Sequence, residues 1–208
     1  MKPGRSMLVR RGLLLSGATV AWDLFEGTVA TLAGLAAASV ALVGFGVDSF
    51  AEVLSALVVG ARFAYEMGRA GEARVERFET VASRVAGGLL LVVAAYVTVD
   101  ALRRLLGHGP EPAASVPGMA VTAAALPVMG ALAWAKLRTS RALGSRALRA
   151  DAFESISCAW LAAATLAGLA LNAAFGWWWA DPAAGLALVP LIAREGLEGL
   201  RGGEDDED

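Results

Sequence analysis

Between Arg11 and Arg62 the chain carries neither lysine nor arginine, a run of fifty residues from Gly12 to Ala61. As one helix at ~1.5 Å per residue it would be about 75 Å long, against a bilayer core of about 30 Å. It must therefore fold as two spans joined by a tight turn. A break placed at the acids would give one helix over 27–47, strand Asp48 and Glu52 in a loop, and leave 53–61 too short to cross. A turn near Ala37–Val40 gives two spans of workable length instead, roughly 13–36 and 41–62.

The second of these spans, Ala41–Val59, reads ALVGFGVDSFAEVLSALVV. Asp48 and Glu52 lie near its middle, four residues apart, and so on one helix face. A charged residue at the centre of a span costs roughly 2.5–3.5 kcal/mol on insertion scales. Two on one face are hard to account for by packing, and a cation site is the direct reading.

The rest of the 208-residue chain follows the same pattern. Its apolar share is 57%, above the roughly 45–50% of soluble domains, and the excess falls in long runs. There is room for six spans and for no second, soluble domain. The expected fold is an all-α membrane protein with a six-helix transmembrane domain over residues 1–200 and an acidic, disordered tail over 201–208. Lys2, Arg5, Arg10 and Arg11 precede the first apolar run in the manner of a signal peptide. That run is too long and is interrupted by Asp23 and Glu26, so it reads as a retained first span.

The mixed-sign stretch from Arg62 to Arg84 predicts solvated helix extension and loop. A third span is predicted over 85–106, with Asp100 near its far end. A loop over 107–117, holding three prolines and two glycines, separates it from a fourth span over 118–137 that Pro127 should kink. A basic loop over 138–149 leads to a fifth span over 150–175. Trp177, Trp178 and Trp179 suit a membrane interface. Asp181-Pro182 reads as an N-cap and first helical residue opening a sixth span to about Ile192. With both termini on one side, every basic residue but Arg103 and Arg104 falls on that side, and the positive-inside rule makes it the cytoplasm.

At ~1.5 Å per residue, Asp23, Glu26, Asp48, Glu52, Glu154 and Cys158 all fall at mid-depth, and Asp151 nearer the surface. Asp151, Glu154 and Cys158 share a face of the fifth span. No lysine or arginine is expected within these spans to pair with them. Clustered carboxylates at low dielectric must then hold protons, hold a cation or face water, which is the chemistry of a proton–cation exchanger.

Structural alternatives stand beside that reading. Asp48 and Glu52 could be protonated packing residues, Glu154 could snorkel to the surface, and Cys158 could be a small buried residue. Asp23 and Glu26 divide between an access or proton path and plain structure. Asp100 and Asp151 read as non-ligands, and His108, the one histidine, as a loop residue. A single histidine and a single cysteine argue against a His-rich site, a disulfide or a hydrolase triad, so no enzyme is expected.

The pairs Asp48-x3-Glu52 and Glu154-x3-Cys158 resemble the cation diffusion facilitator superfamily. There, the second span carries Asp/His-x3-Asp and the fifth His/Asp-x3-Asp, four side chains binding one Zn²⁺. VALVGFGVDSFAEVLSALVV, LRADAFESISC and WADPAAGL resemble the second, fifth and sixth spans of that family. The resemblance covers roughly residues 15–200. Glu154 stands where the family usually has His, and Cys158 where it has Asp. With no cytosolic metal-binding domain, the chain resembles the short, transmembrane-only branch, which includes bacterial cation transporters and a vertebrate zinc-efflux protein.

The resemblance implies six helices, a homodimer, and efflux of a divalent cation from the cytoplasm across the cell membrane by alternating access and proton antiport. Its ligands would be Asp48, Glu52, Glu154 and Cys158. Zn²⁺ is the expected cargo, with Fe²⁺, Mn²⁺ and Cd²⁺ open because imidazole is missing. No nucleic-acid partner is expected. The competing readings are a proton-coupled exporter of organic cations, using Trp22 with Asp23 and Glu26, and a non-transporting membrane protein that senses metal or scaffolds a partner.

Overall fold

The computed structural model describes residues 3–68 and 72–201. Lys2, Arg69 and the acidic tail lie outside the described residues. Six helices follow one another: α1 (Pro3–Ala37), α2 (Val40–Glu66), α3 (Glu72–Leu105), α4 (Val116–Leu143), α5 (Arg146–Phe175) and α6 (Ala180–Arg201). Among the described residues α2, α4 and α5 are long and apolar enough to cross a membrane.

The turn inside the long unbasic run falls at Ala38–Ser39, where the sequence requires one. Ala38 takes a left-handed φ of 52°. Ser39 then caps α2, its hydroxyl accepting from Leu42 N at 3.1 Å. The hairpin closes at its other end through Arg5 Nε and Glu66 Oε1, 2.7 Å apart. Between the ends, α1 and α2 touch backbone to backbone. A Cβ at Gly46 would lie 2.7 Å from Thr31 N, and one at Gly27 would lie 2.9 Å from Gly46 O. Without side chains there, the two backbones approach closely and gain dispersion contact that bulky residues would prevent.

The helix α2 is the centre of the bundle, packed against α1, α3, α5 and α6, while α3 pairs with α6 and α4 with α5. Leu42, Phe45, Met129, Leu161, Leu188 and Ile192 are among the buried side chains of the main core, to which α1 and α3 also contribute through Ala30, Leu90 and Ala94. A smaller core of Val9, Val59, Phe63, Leu143 and Leu148 ties together the ends of the helices on the side of the chain's start. The outward faces are apolar as well: Leu32, Val92, Trp134 and Trp160 are all more than half exposed. Water would penalise such a surface, and lipid would not.

Two details at the opposite end differ from the sequence reading. First, α6 begins at Ala180, so Asp181 lies inside its first turn. Its carboxylate reaches across to α2, accepting from Ser39 Oγ and from Val40 N, the latter at 2.9 Å. It caps the neighbouring helix, because the orphan N–H groups of α2 start beside it in a buried place that water does not reach. Second, Arg104, counted at the end of the third span as a basic residue of the far side, is buried. Its guanidinium bonds Asp100 Oδ2 at 2.7 Å, Ala38 O at 2.8 Å and Pro110 O at 2.6 Å, pinning the α1–α2 turn to the end of α3 and the following loop. Pro127 sits within α4, which continues through it.

Candidate functional site

The buried face of α1 is polar for three turns. Ser16, Thr19, Asp23 and Glu26 follow one another at helical spacing, all fully or almost fully buried. On α2, Asp48 and Glu52 are each 5% exposed, their one-turn spacing placing both against neighbouring helices. On α5, Asp151, Ser155 and Cys158 turn inward together. Acids from three helices therefore meet around α2, as the spacing predicts.

They sort into two groups. The inner group is completely enclosed. Glu26 accepts from Trp22 Nε1 through one oxygen. Its other oxygen accepts from Ser49 Oγ at 2.9 Å and from Cys158 Sγ at 3.5 Å. Cys158 also lies close to Glu52. Ser155 donates to Glu52 Oε1 at 2.6 Å, leaving Glu52 Oε2 buried with no partner. Asp23 is wholly buried, with both carboxylate oxygens unpartnered.

The inner group also holds a residue that the sequence reading left at the end of the fourth span and counted with the basic residues of the cytoplasmic side. Lys136, near the end of α4, is 0% exposed. Its ammonium lies 3.0 Å from Asp151 Oδ1 and 3.7 Å from Glu52 Oε1. It donates to Ser155 Oγ at 2.8 Å. No base was expected to pair with these acids, and Lys136 of α4 supplies one; Asp151, expected nearer the membrane surface than the other acids, is 1% exposed within the bundle. The contact with Asp151 is an ion contact without hydrogen-bond alignment, since both Asp151 oxygens lack a hydrogen-bond partner. The signal was in the periodicity. Met129, Ala133, Lys136 and Ser140 form one buried stripe, and Arg138 and Arg141 point outward on the other face.

The outer group is partly open. Asp48 faces Glu195 of α6, with Ser157 close to Glu195. Two carboxylates in contact must share a proton or a cation between them. Glu154 lies close to Ser55, and its Oε2 is buried without a hydrogen-bond partner. Glu195 was missed because it follows Arg194 in a charged, solvated-looking tail. Its spacing from Leu188 and Ile192, both buried, puts it on the inward face.

The four residues singled out by the resemblance are thus divided between the two groups. Asp48 and Glu154 belong to the outer one, Glu52 and Cys158 to the inner one. Among the described residues no set of three or more His, Cys, Asp or Glu converges closely enough to hold a metal ion. The inner acids turn instead toward serines, the indole, the thiol and Lys136, while Asp48 faces Glu195.

Residues 26–202 match the family of cation efflux transmembrane domains. The chain belongs to the cation efflux family. That family comprises transporters, not enzymes, and the chain is an integral membrane protein. Over 131 residues it is 30% identical to an uncharacterized transporter of Synechocystis sp., covering 63% of this chain and 41% of the relative. Over 121 residues it is 28% identical to a cadmium, cobalt and zinc/H(+)-K(+) antiporter of Bacillus velezensis, covering 58% of this chain and 38% of the relative. The matches span about two fifths of the length of these curated relatives. In this cation efflux chain the buried acids of α1, α2 and α5 all lie within the matched region except Asp23.

Proposed function

We propose that this domain carries divalent metal cations, Zn²⁺ foremost, out of the cytoplasm in exchange for protons by alternating access. The observation that carries the reading is the pair Asp48 and Glu52, one turn apart on the central helix, each facing acids from other helices. Packing alone gives no reason to gather carboxylates from four helices in an apolar bundle, since each is costly there. Cation exchange does: metal entry displaces shared protons, and protonation returns the metal. The relative from Bacillus velezensis, named for cadmium, cobalt and zinc exchange, supports the same class of cargo.

Asp48, Glu52, Glu154 and Cys158 are the proposed ligands, and Glu195 joins them at the outer, partly open end. Ser155, which now donates to Glu52, would give way as the helices close on a metal. Asp23, Glu26 and Asp151 line the proton or access path. The start of α1 and the end of α2 lie on the cytoplasmic side of the cell membrane, where the basic residues gather. On the far side stand Arg103 and Arg104, the latter bonded to carbonyls and Asp100. The transporter works as a homodimer.

The organic-cation reading rests on Trp22 beside Glu26, and Trp22 Nε1 already donates to that carboxylate. Metal loading of purified protein, then Zn²⁺ uptake into proteoliposomes under a proton gradient, separates the readings. Stoichiometric Zn²⁺ with gradient-driven flux is expected. Binding without flux would mean a sensor or scaffold, and flux of organic cations without metal binding would mean the rival exporter.

A further inference from the structure

Lys136 is the one cation within the inner group among the described residues, and its contacts are unequal. It approaches Asp151 to 3.0 Å and Glu52 only to 3.7 Å. Glu52 takes its close hydrogen bond from Ser155, at 2.6 Å, and keeps a second oxygen, Oε2, buried and unpartnered. Asp151 is therefore the anchor of the ammonium and Glu52 its weaker, exchangeable partner. Lysine suits such a role because it is a compact point charge on a flexible four-carbon stem.

We propose that Lys136 is a tethered cation: its ammonium occupies the field of Glu52 when cargo is absent, and a divalent metal gains Glu52 only in competition with it. Asp151 keeps the ammonium close by as metal enters, so that it can return and displace the metal from Glu52. The resident charge sets how tightly cargo is held, and it favours a dication over a monocation, which could not outbid an ammonium already in place. Lys136 acts through Glu52 and is a positioning residue, not a ligand. The inference rests on the metal-transport reading above.

Zn²⁺ affinity of the purified protein in mild detergent, measured by competition with a fluorescent chelator, tests it. Removing a positive charge next to a ligand at low dielectric should tighten binding by about tenfold or more. Lys136→Met leaves Asp151 buried and unpaired, and that alone can prevent folding. The double variant Lys136→Met with Asp151→Asn removes both charges and keeps Glu52 free, and it should bind about tenfold tighter than wild type. Asp151→Asn alone takes away the anchor, leaves the ammonium to Glu52, and should bind more weakly. Lys136→Arg should restore near wild-type affinity. A purely structural salt bridge would move the single and double variants in the same direction. Wild-type or weaker affinity in the double variant overturns the inference and leaves the transport reading standing. Failure of wild type and every variant to bind Zn²⁺ would sink the transport reading and this inference together.

Discussion

Glu52 sits where the two groups meet, bonded by Ser155 and faced by Lys136 and Cys158. Asp48 lies one turn away against Glu195. Asp48→Asn and Glu52→Gln keep shape and hydrogen-bonding capacity and remove the exchangeable proton. Each should abolish Zn²⁺ flux in proteoliposomes while the protein still folds and inserts; flux near wild type in both would remove this pair from the transport core. Cys158 tests the softness of the site. Its thiol touches Glu26 and lies near Glu52 in a fully enclosed place. A thiolate ligand favours softer metals and a carboxylate harder ones. Cys158→Asp should keep transport and shift preference away from Cd²⁺ toward Mn²⁺ or Zn²⁺, and Cys158→Ala should weaken Zn²⁺ binding. An unchanged order of Zn²⁺, Cd²⁺ and Mn²⁺ affinities across the three proteins would mean a site built of carboxylates alone.

At the scale of the elements, the end of the bundle opposite the basic residues is fixed by polar contacts among chain ends. Asp181 of α6 caps α2, Arg104 of α3 holds the α1–α2 turn, and Asn172 of α5 donates to Pro112 O at 2.7 Å. These contacts join five helices and the 106–115 loop far from the acids. Asp181→Ala leaves the start of α2 without its carboxylate and should cost about 2 kcal/mol, the worth of a charged hydrogen bond to a buried donor. The thermal midpoint in detergent should fall while Zn²⁺ affinity stays at its wild-type value, and Asp181→Asn should lose less because the amide keeps an acceptor oxygen. A fall in affinity with no fall in midpoint would place Asp181 in the cargo path instead. The other joint, between α1 and α2, depends on Gly27 and Gly46, where any side chain would meet backbone.

For the whole molecule, a bundle this apolar on its outward faces has lipid or a second copy to cover them. Mass measurement in mild detergent and in nanodiscs should give a homodimer, and a monomer in all conditions would count against it. The helix count, the turn at Ala38–Ser39 and the inward face of α2 were all legible in the sequence. Bilayer thickness and helical periodicity are local rules, and a fifty-residue run without a base leaves them little freedom. That acids of α1, α2 and α5 would meet was legible for the same reason, since depth follows from residue count. Lys136, Glu195 and Asp181 were not read correctly, and for a common physical reason. Each lies near a helix end, where span and loop look alike in composition, and each is defined by a partner on another helix: Asp151 for Lys136, Asp48 for Glu195, Ser39 for Asp181. Lys136 and Asp181 are tolerated in the interior because that partner is there, and Glu195 beside Asp48 only because the two can share a proton or a cation. The sequence by itself determined which residues are costly to bury; the tertiary structure decided which neighbouring group makes each burial tolerable.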